Sequence, residues 1–304
     1  MKKLSIFFIL IFLFLTTASA KAKKKYLALG DSITYGYTLD EPTKYAYPTL
    51  FSNKYDLDLT NEAIPGDTSA VLLEKLANYN IDDYDVISIC IGANDVFKSF
   101  TTRIYGKDAV EMAETLSTIL TDEEIQHEIE EGLNELKANL PKIMNIIKQG
   151  HAQIYMMNVY NPYNNSIIQG LEEIADTYVK KINEVIEENK SGTHFINLYK
   201  KFDKEKKVTN SQSLTNKFYD PHPTKKGQEV ISSYLIEEYD RNNTTLTSYI
   251  LIIVMGIFVI FLEIAEIIFT FKKFTFKNIN NSVTKPKTEQ KEEEEKKSSR
   301  FIRS

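Results

Sequence analysis

The chain has 304 residues, 42% hydrophobic and 26% charged, an ordinary globular balance that excludes a wholly disordered or collagen-like protein. Its single cysteine, Cys90, excludes an intrachain disulfide framework and any multi-cysteine metal site, and its four histidines leave few candidates for imidazole chemistry. The net charge of −5 is uneven: residues 1–25 carry +6 and residues 272–304 carry +5, leaving −16 on residues 26–271, and so acidic a body argues against a nucleic-acid partner.

The chain opens on Met1-Lys2-Lys3, an apolar run from Leu4 to Leu15 and the ending Ala18-Ser19-Ala20. A basic start, a short apolar core and an A-x-A ending are the parts of a secretory signal peptide, so residues 1–20 are expected to be removed after Ala20. From there the body alternates strand and helix. Lys25 to Gly30 reads as a buried strand, Leu57 to Asn61 as a weaker one, and Thr68 to Tyr79 as a helix capped by Asp67 or Thr68. Val86 to Ile91 is a β-branched run fit for a strand covered on both faces, with Cys90 as a core residue. Helices are expected at about 108–119 and 122–149, a strand at 153–159, a helix at 167–189, a strand at 195–198 and a helix at 224–239. Five strands alternating with helices predict one α/β domain over residues 24–242, with a parallel sheet covered on both faces.

Beyond the body, Tyr249 to Phe271 is apolar apart from Glu263 and Glu266 and is long enough to span a bilayer. Lys272, Lys273 and Lys277 follow at once, which places the 272–304 tail in the cytoplasm and the body outside. Glu263 and Glu266 share one helix face. The tail is low in apolar residues and holds the block from Lys291 to Lys297, the composition of a solvated segment.

The chemistry-bearing residues fall where strands end, which is where ligands sit in open α/β sheets. Gly30-Asp31-Ser32-Ile33 follows the first strand and opens a helical segment. Ser32 there can direct its hydroxyl into the crevice, although Asp31 or Ser32 could equally be a helix cap. Gly66 follows the second strand, where it could expose an N–H to a ligand or serve a Pro-Gly turn. Gly92-Ala93-Asn94-Asp95 follows the third, and Asn94 could donate to a developing oxyanion or cap a turn. Tyr219-Asp220-Pro221-His222-Pro223 precedes the last helix. A histidine held between prolines with a carboxylate two residues away has the makings of a base and its orienter. His127 lies in an acidic helix, while His151 and His194 flank strand starts at the opposite end of the sheet.

Taken in order, these four blocks resemble those of the SGNH hydrolases, or GDSL-type lipases and esterases, over about residues 24–240. The resemblance implies a flavodoxin-like three-layer α/β/α fold and metal-independent ester hydrolysis, with no cofactor. It implies Ser32 as nucleophile and His222 as base, with the Ser32 N–H, the Gly66 N–H and the Asn94 side chain as oxyanion hole. Ile33 stands where the family has Leu. The family's acid stands three residues before the histidine, a position held here by Tyr219, whereas Asp220 stands two before. Asp220 is the expected acid, with a Ser–His dyad or a carboxylate such as Asp203 as alternatives. Asp31 and Asp95 are expected to structure their loops. Neither a Gly-x-Ser-x-Gly elbow nor a second histidine at metalloprotease spacing from His127-Glu128 occurs. The expected activity is therefore a serine esterase or lipase on acyl esters, anchored by the C-terminal helix to the outer side of the cell membrane. The alternatives are an O-acetyl esterase on cell-wall carbohydrate and a non-catalytic membrane-anchored binding domain. The 97–130 segment is expected to shape the substrate mouth.

Overall fold

The computed structural model describes residues 22–104, 106–119, 121–164, 170–212, 220–283 and 294–299. The expected signal peptide, Tyr219 and most of the tail lie outside the described residues. The chain divides into two compact units between Asp240 and Arg241.

In the first unit, β1 (Lys25–Gly30), β2 (Asp58–Asn61), β3 (Val86–Cys90), β4 (Gln153–Met157) and β5 (His194–Ile196) form one parallel sheet in the order β2-β1-β3-β4-β5. That is the flavodoxin-like order, with its reversal between β1 and β3. Strand alternation divides the core in two. Leu27, Leu29, Ile87, Ile89, Ile154 and Met156 face one layer of helices, while Tyr26, Ala28, Val86, Cys90, Tyr155 and Met157 face the other.

The chain-order helices are α1 (Ser32–Tyr35), α2 (Pro42–Tyr45), α3 (Tyr47–Tyr55), α4 (Ser69–Leu76), α5 (Ala93–Ile104), α6 (Ala109–Ile119), α7 (Glu123–Ile147), α8 (Leu171–Glu188), α9 (Leu198–Phe202) and α10 (Lys225–Val283). The first core cluster takes buried residues from α4, α5, α7 and α8, including Leu72, Val96, Leu136 and Ile182. The second takes Tyr47 and Phe51 from α3, Phe202 from α9, and Ile231 and Leu235 from α10. Three layers result, as the sequence pattern leads one to expect.

Several local expectations change. The segment after β3, to which the sequence pattern assigned no element, is the 12-residue helix α5. Thr68 stands at the N-cap of α4 but makes no side-chain cap bond; the carboxylate of Asp95 instead accepts from the Ser69 N–H at 3.1 and 3.0 Å. The expected stop near residue 239 is absent, because α10 runs from Lys225 to Val283. No proline occurs in that stretch and Asp240 to Ser248 contains no glycine, so nothing local interrupts the helix. In the second unit its apolar stretch has a mean hydropathy of 2.7 and is exposed, and among the described residues it alone is long and apolar enough to cross a membrane.

One buried side chain ties α10 to α1 and α3 behind the first loop. Gln228 is fully buried; its Oε1 accepts from the Tyr47 N–H at 2.9 Å and its Nε2 donates to the Ile33 carbonyl at 2.9 Å. Gln228→Leu would strand both backbone groups, at about 1–3 kcal/mol each. The variant should unfold at a clearly lower temperature in circular dichroism of the detergent-solubilised chain, and an unchanged transition would contradict this bridge.

Candidate active site

β1 ends at Gly30 because the next turn folds back against it. A Cβ on Gly30 would lie 2.1 Å from the Thr34 Oγ1 and 2.6 Å from the Cys90 carbonyl, so only glycine fits. Asp31 is the N-cap of α1, its Oδ1 accepting from the Ile33 N–H at 2.9 Å. Since Asp31 takes the cap, the Ser32 hydroxyl is left for another partner.

That partner is His222. Its Nε2 lies 2.9 Å from the Ser32 Oγ, and its Nδ1 lies 2.6 Å from the Asp220 Oδ1. The same carboxylate oxygen accepts from the His222 backbone N–H at 3.0 Å. A carboxylate only accepts, so the ring proton belongs on Nδ1, which turns the Nε2 lone pair toward the serine. Ser32 and Asp220 are each 8% exposed. The Tyr37 ring packs edge-on against the imidazole, its centroid 4.8 Å away, and the Tyr160 hydroxyl donates to the Pro221 carbonyl at 3.0 Å.

Asn94, in the first turn of α5, lines the same cavity as Ser32 and His222. Its Nδ2 donates to the Asp67 carbonyl at 3.0 Å, which ties the loop after β2 to the loop after β3. Gly66 lies one residue earlier on that loop. It is exposed with φ +90°, a conformation that suits glycine, and nothing lies within 4 Å of where a Cβ would be. Gly66 is absent from the cavity wall, and it reaches the group only through the Asp67–Asn94 bond. The cavity measures about 370 Å³ and its wall is mainly apolar, with Phe97, Val159, Tyr160, Pro162 and Tyr163 beside the polar group.

The other candidates sort as follows. Asp31 and Asp95 structure their loops through the caps of α1 and α4. Asp203 takes a hydrogen bond from the Asn164 Nδ2 at 2.8 Å, and the His222 Nδ1 is on Asp220 instead. His127 and His151 are exposed, and His194 stacks on Tyr155 at the first residue of β5. Burial raises the Cys90 thiol pKa well above its ordinary value, as befits a core residue. Among the described residues no group of three His, Cys, Asp or Glu side chains is placed to hold a metal.

Sequence reasoning missed Tyr37, Thr38 and Asn210. Their contacts bring distant segments together, and the one local signal was the polar run Thr209-Asn210-Ser211-Gln212.

The parallel sheet with its reversal at β1/β3 is a flavodoxin-like fold, and the hydrogen-bonded series Ser32, His222 and Asp220 lies beside the crevice above that reversal, an arrangement suited to acyl transfer. A family model described as GDSL-like lipase/acylhydrolase matches residues 28–230, and the chain belongs to that family. An arylesterase of Vibrio mimicus is 25% identical over 162 residues, 51% of this chain and 64% of that protein, so the match spans less than two thirds of the relative. Two solved structures share the fold: a phospholipase A1 from Streptomyces albidoflavus and an extracellular lipase from Streptomyces rimosus. Each superposes with a TM-score of 0.54 over 71% of this chain and all of its own, at 16% and 18% identity respectively.

Burial raises the Asp31 pKa to about 7 from 3.8, against the opposing pull of the Ile33 N–H and of nearby His222. Between about pH 4 and 7 the folded chain keeps a proton there that the unfolded chain has lost, so stability falls as pH rises through that window. Asp31→Asn removes the titration and can still accept from Ile33. The melting temperature of the variant relative to wild type should climb from pH 4 to 7 and then level off. A difference independent of pH would refute the assignment.

Proposed function

We propose that this protein is a serine esterase that hydrolyses carboxylic esters with an apolar acyl group, held by α10 on the outer side of the cytoplasmic membrane. The observation that carries this reading is the Ser32–His222–Asp220 chain, at 2.9 and 2.6 Å, opening into an apolar cavity.

The His222 Nε2 takes the Ser32 proton as Oγ bonds to the ester carbonyl carbon. Asp220 holds the imidazole and stabilises the imidazolium that forms. The tetrahedral oxyanion receives hydrogen bonds from the Ser32 N–H and the Asn94 amide, the two expected donors that lie on the cavity wall, while Gly66 stands off it. One Asn94 proton is already given to the Asp67 carbonyl, which fixes the amide's orientation and leaves the second for the oxyanion. The C–O bond then breaks and the leaving alkoxide takes the proton from His222. Water, deprotonated by His222, attacks the acyl-serine; the Oγ–acyl bond breaks, Ser32 Oγ takes the proton back from His222, and the carboxylic acid is released.

The apolar wall formed by Phe97, Val159, Tyr160, Pro162 and Tyr163 supports an acyl chain longer than acetyl, and so disfavours the carbohydrate O-acetyl esterase. The intact Ser–His–Asp contact disfavours a non-catalytic binding domain. The arylesterase relative supports an ester substrate.

The test is a series of acyl esters offered to the detergent-solubilised chain. kcat/KM should rise roughly fourfold per methylene, the equivalent of ~0.8 kcal/mol each, until the cavity is full. Ser32→Ala and His222→Ala should abolish turnover, Asp220→Asn should lower kcat by up to ~10⁴, and Asn94→Ala by roughly 10²–10³ with KM unchanged. Faster turnover of acetylated sugars would refute the substrate, and an active Ser32→Ala would refute the nucleophile.

The first 20 residues, the exposed apolar stretch of α10 and the lysines at 272, 273 and 277 support a body outside and a tail inside. Protease added to intact protoplasts should digest the body and spare an epitope placed after Phe301. Protection of the body would refute this topology.

A further inference from the structure

Asp220 carries more bonds than its pairing with His222. Its Oδ1 is engaged twice by His222, through Nδ1 and through the backbone N–H. Its Oδ2 accepts from the Asn210 Nδ2 at 2.9 Å. Because the carboxylate can only accept, the Asn210 amide must present its NH₂ group there. The same Nδ2 reaches the Thr38 Oγ1 at 3.0 Å, and the Asn210 backbone N–H donates to the His222 carbonyl at 2.9 Å. One residue thus grips the Asp220–His222 turn by its side chain and its main chain together.

Both flanks of Asn210 are fixed. Thr209 and Ser211 are buried, Thr209 pairs with Pro223 in an antiparallel bridge, and the Ser211 hydroxyl donates to the Pro162 carbonyl. Thr38 is a β-branched residue at φ +73°, in the left-handed region such residues avoid. It directly follows Tyr37, whose N–H donates to the Ser32 carbonyl at 2.9 Å. Backbone strain of this kind persists only where surrounding contacts over-determine it. Here it sits on the link between the nucleophile's turn and the acid.

We infer that Asn210, seconded by Thr38, is a positioning residue for the acid of the Ser32–His222–Asp220 site; the inference rests on the catalytic reading proposed above. A carboxylate torsion is broad and roughly two-fold, so the His222 pairing alone leaves the group free to tilt or exchange oxygens. A donor fixed on Oδ2 selects Oδ1 for the imidazole and holds the plane that the short Nδ1 contact needs.

The test is a double-mutant cycle on the detergent-solubilised chain with an acyl ester. Asn210→Ala should lower kcat roughly 10–100-fold with KM unchanged, the scale of a misplaced catalytic group. Thr38→Val, which keeps the shape and loses the acceptor, should give a smaller loss of the same kind. In an Asp220→Asn background neither substitution should lower kcat further, because each acts through that carboxylate. A residue that merely staples the loop would lose the same factor in both backgrounds, and that result would overturn the inference. Wild-type kcat in Asn210→Ala beside a crippled Asp220→Asn overturns this inference alone. Full activity of Asp220→Asn overturns the acid assignment and this inference with it. Should Asn210→Ala fail to fold, Thr38→Val answers the same question in the same two backgrounds.

Discussion

The parallel pairing of β1 with β3 is the constraint on which the site depends. Register from Tyr26 with Val86 to Gly30 with Cys90 ends both strands at one level. The two turns that leave them lead straight into α1 and α5, so Ser32 and Asn94, each in the first turn of its helix, line the same crevice. β2 and β4 flank this pair on opposite sides, so the connections diverge and leave a gap above it. Gly30 makes the geometry feasible, since any side chain there would collide with the Thr34 hydroxyl and with the end of β3. The core beneath is apolar on both faces, so the polar groups of this region have to satisfy one another.

They do so through side chains that stand in for secondary structure. Asp31 caps α1 and leaves the serine free. Asp95 caps α4 from the neighbouring loop, and Gln228 reaches from α10 to the Ile33 carbonyl behind Ser32. Each of these groups is buried or nearly so, and leaving its partner unmatched would cost more than the bond itself contributes. The Ser32 loop is thus held from below by Gln228, from within by Asp31 and from its far end by Thr38. Holding a reacting oxygen still by several independent contacts is what lets a single imidazole act on it repeatedly in the same geometry.

Legibility in the sequence followed the range of the interactions. The β-branched run of β3, the apolar runs of β1 and β4, and the spacing in α7 and α8 are local signals, and the five strands and the helices α4, α6, α7 and α8 lie close to where those signals put them, whereas α2, α3 and α9 carried no such signal. Ser32, Asn94 and His222 were legible because each stands in a short block at a strand end or before a helix. α5 was not, because Gly92-Ala93-Asn94-Asp95 reads as a turn and the helix is held by packing on α7 and by the carboxylate of Asp95 at the neighbouring loop. The cap of α4 was sought at Asp67 or Thr68, within reach of the chain, and came instead from a residue 26 positions away. The last helix was expected to end near residue 239, and it continues because Asp240 to Ser248 holds no proline or glycine to interrupt it.

Asp220 shows why the rest could not be read. With the acid two residues before the histidine, the backbone closes a local turn in which the His222 N–H returns to Oδ1, the kind of bond aspartate makes readily in loops. That turn brings the carboxylate to the imidazole without help, which is why a one-residue departure from the family spacing still produces a 2.6 Å contact. Yet both bonds fall on the same oxygen. Oδ2 is left facing the protein at a site only 8% exposed, and a buried carboxylate oxygen calls for a donor of its own. No neighbour in sequence can provide one, since Pro221 has no N–H and the next backbone donor is already on Oδ1. The donor must come from elsewhere in the fold, and it does so from Asn210, ten residues upstream on a segment bridged to the histidine's own loop. The local turn that makes the acid legible in the sequence is thus also what makes its partner invisible there.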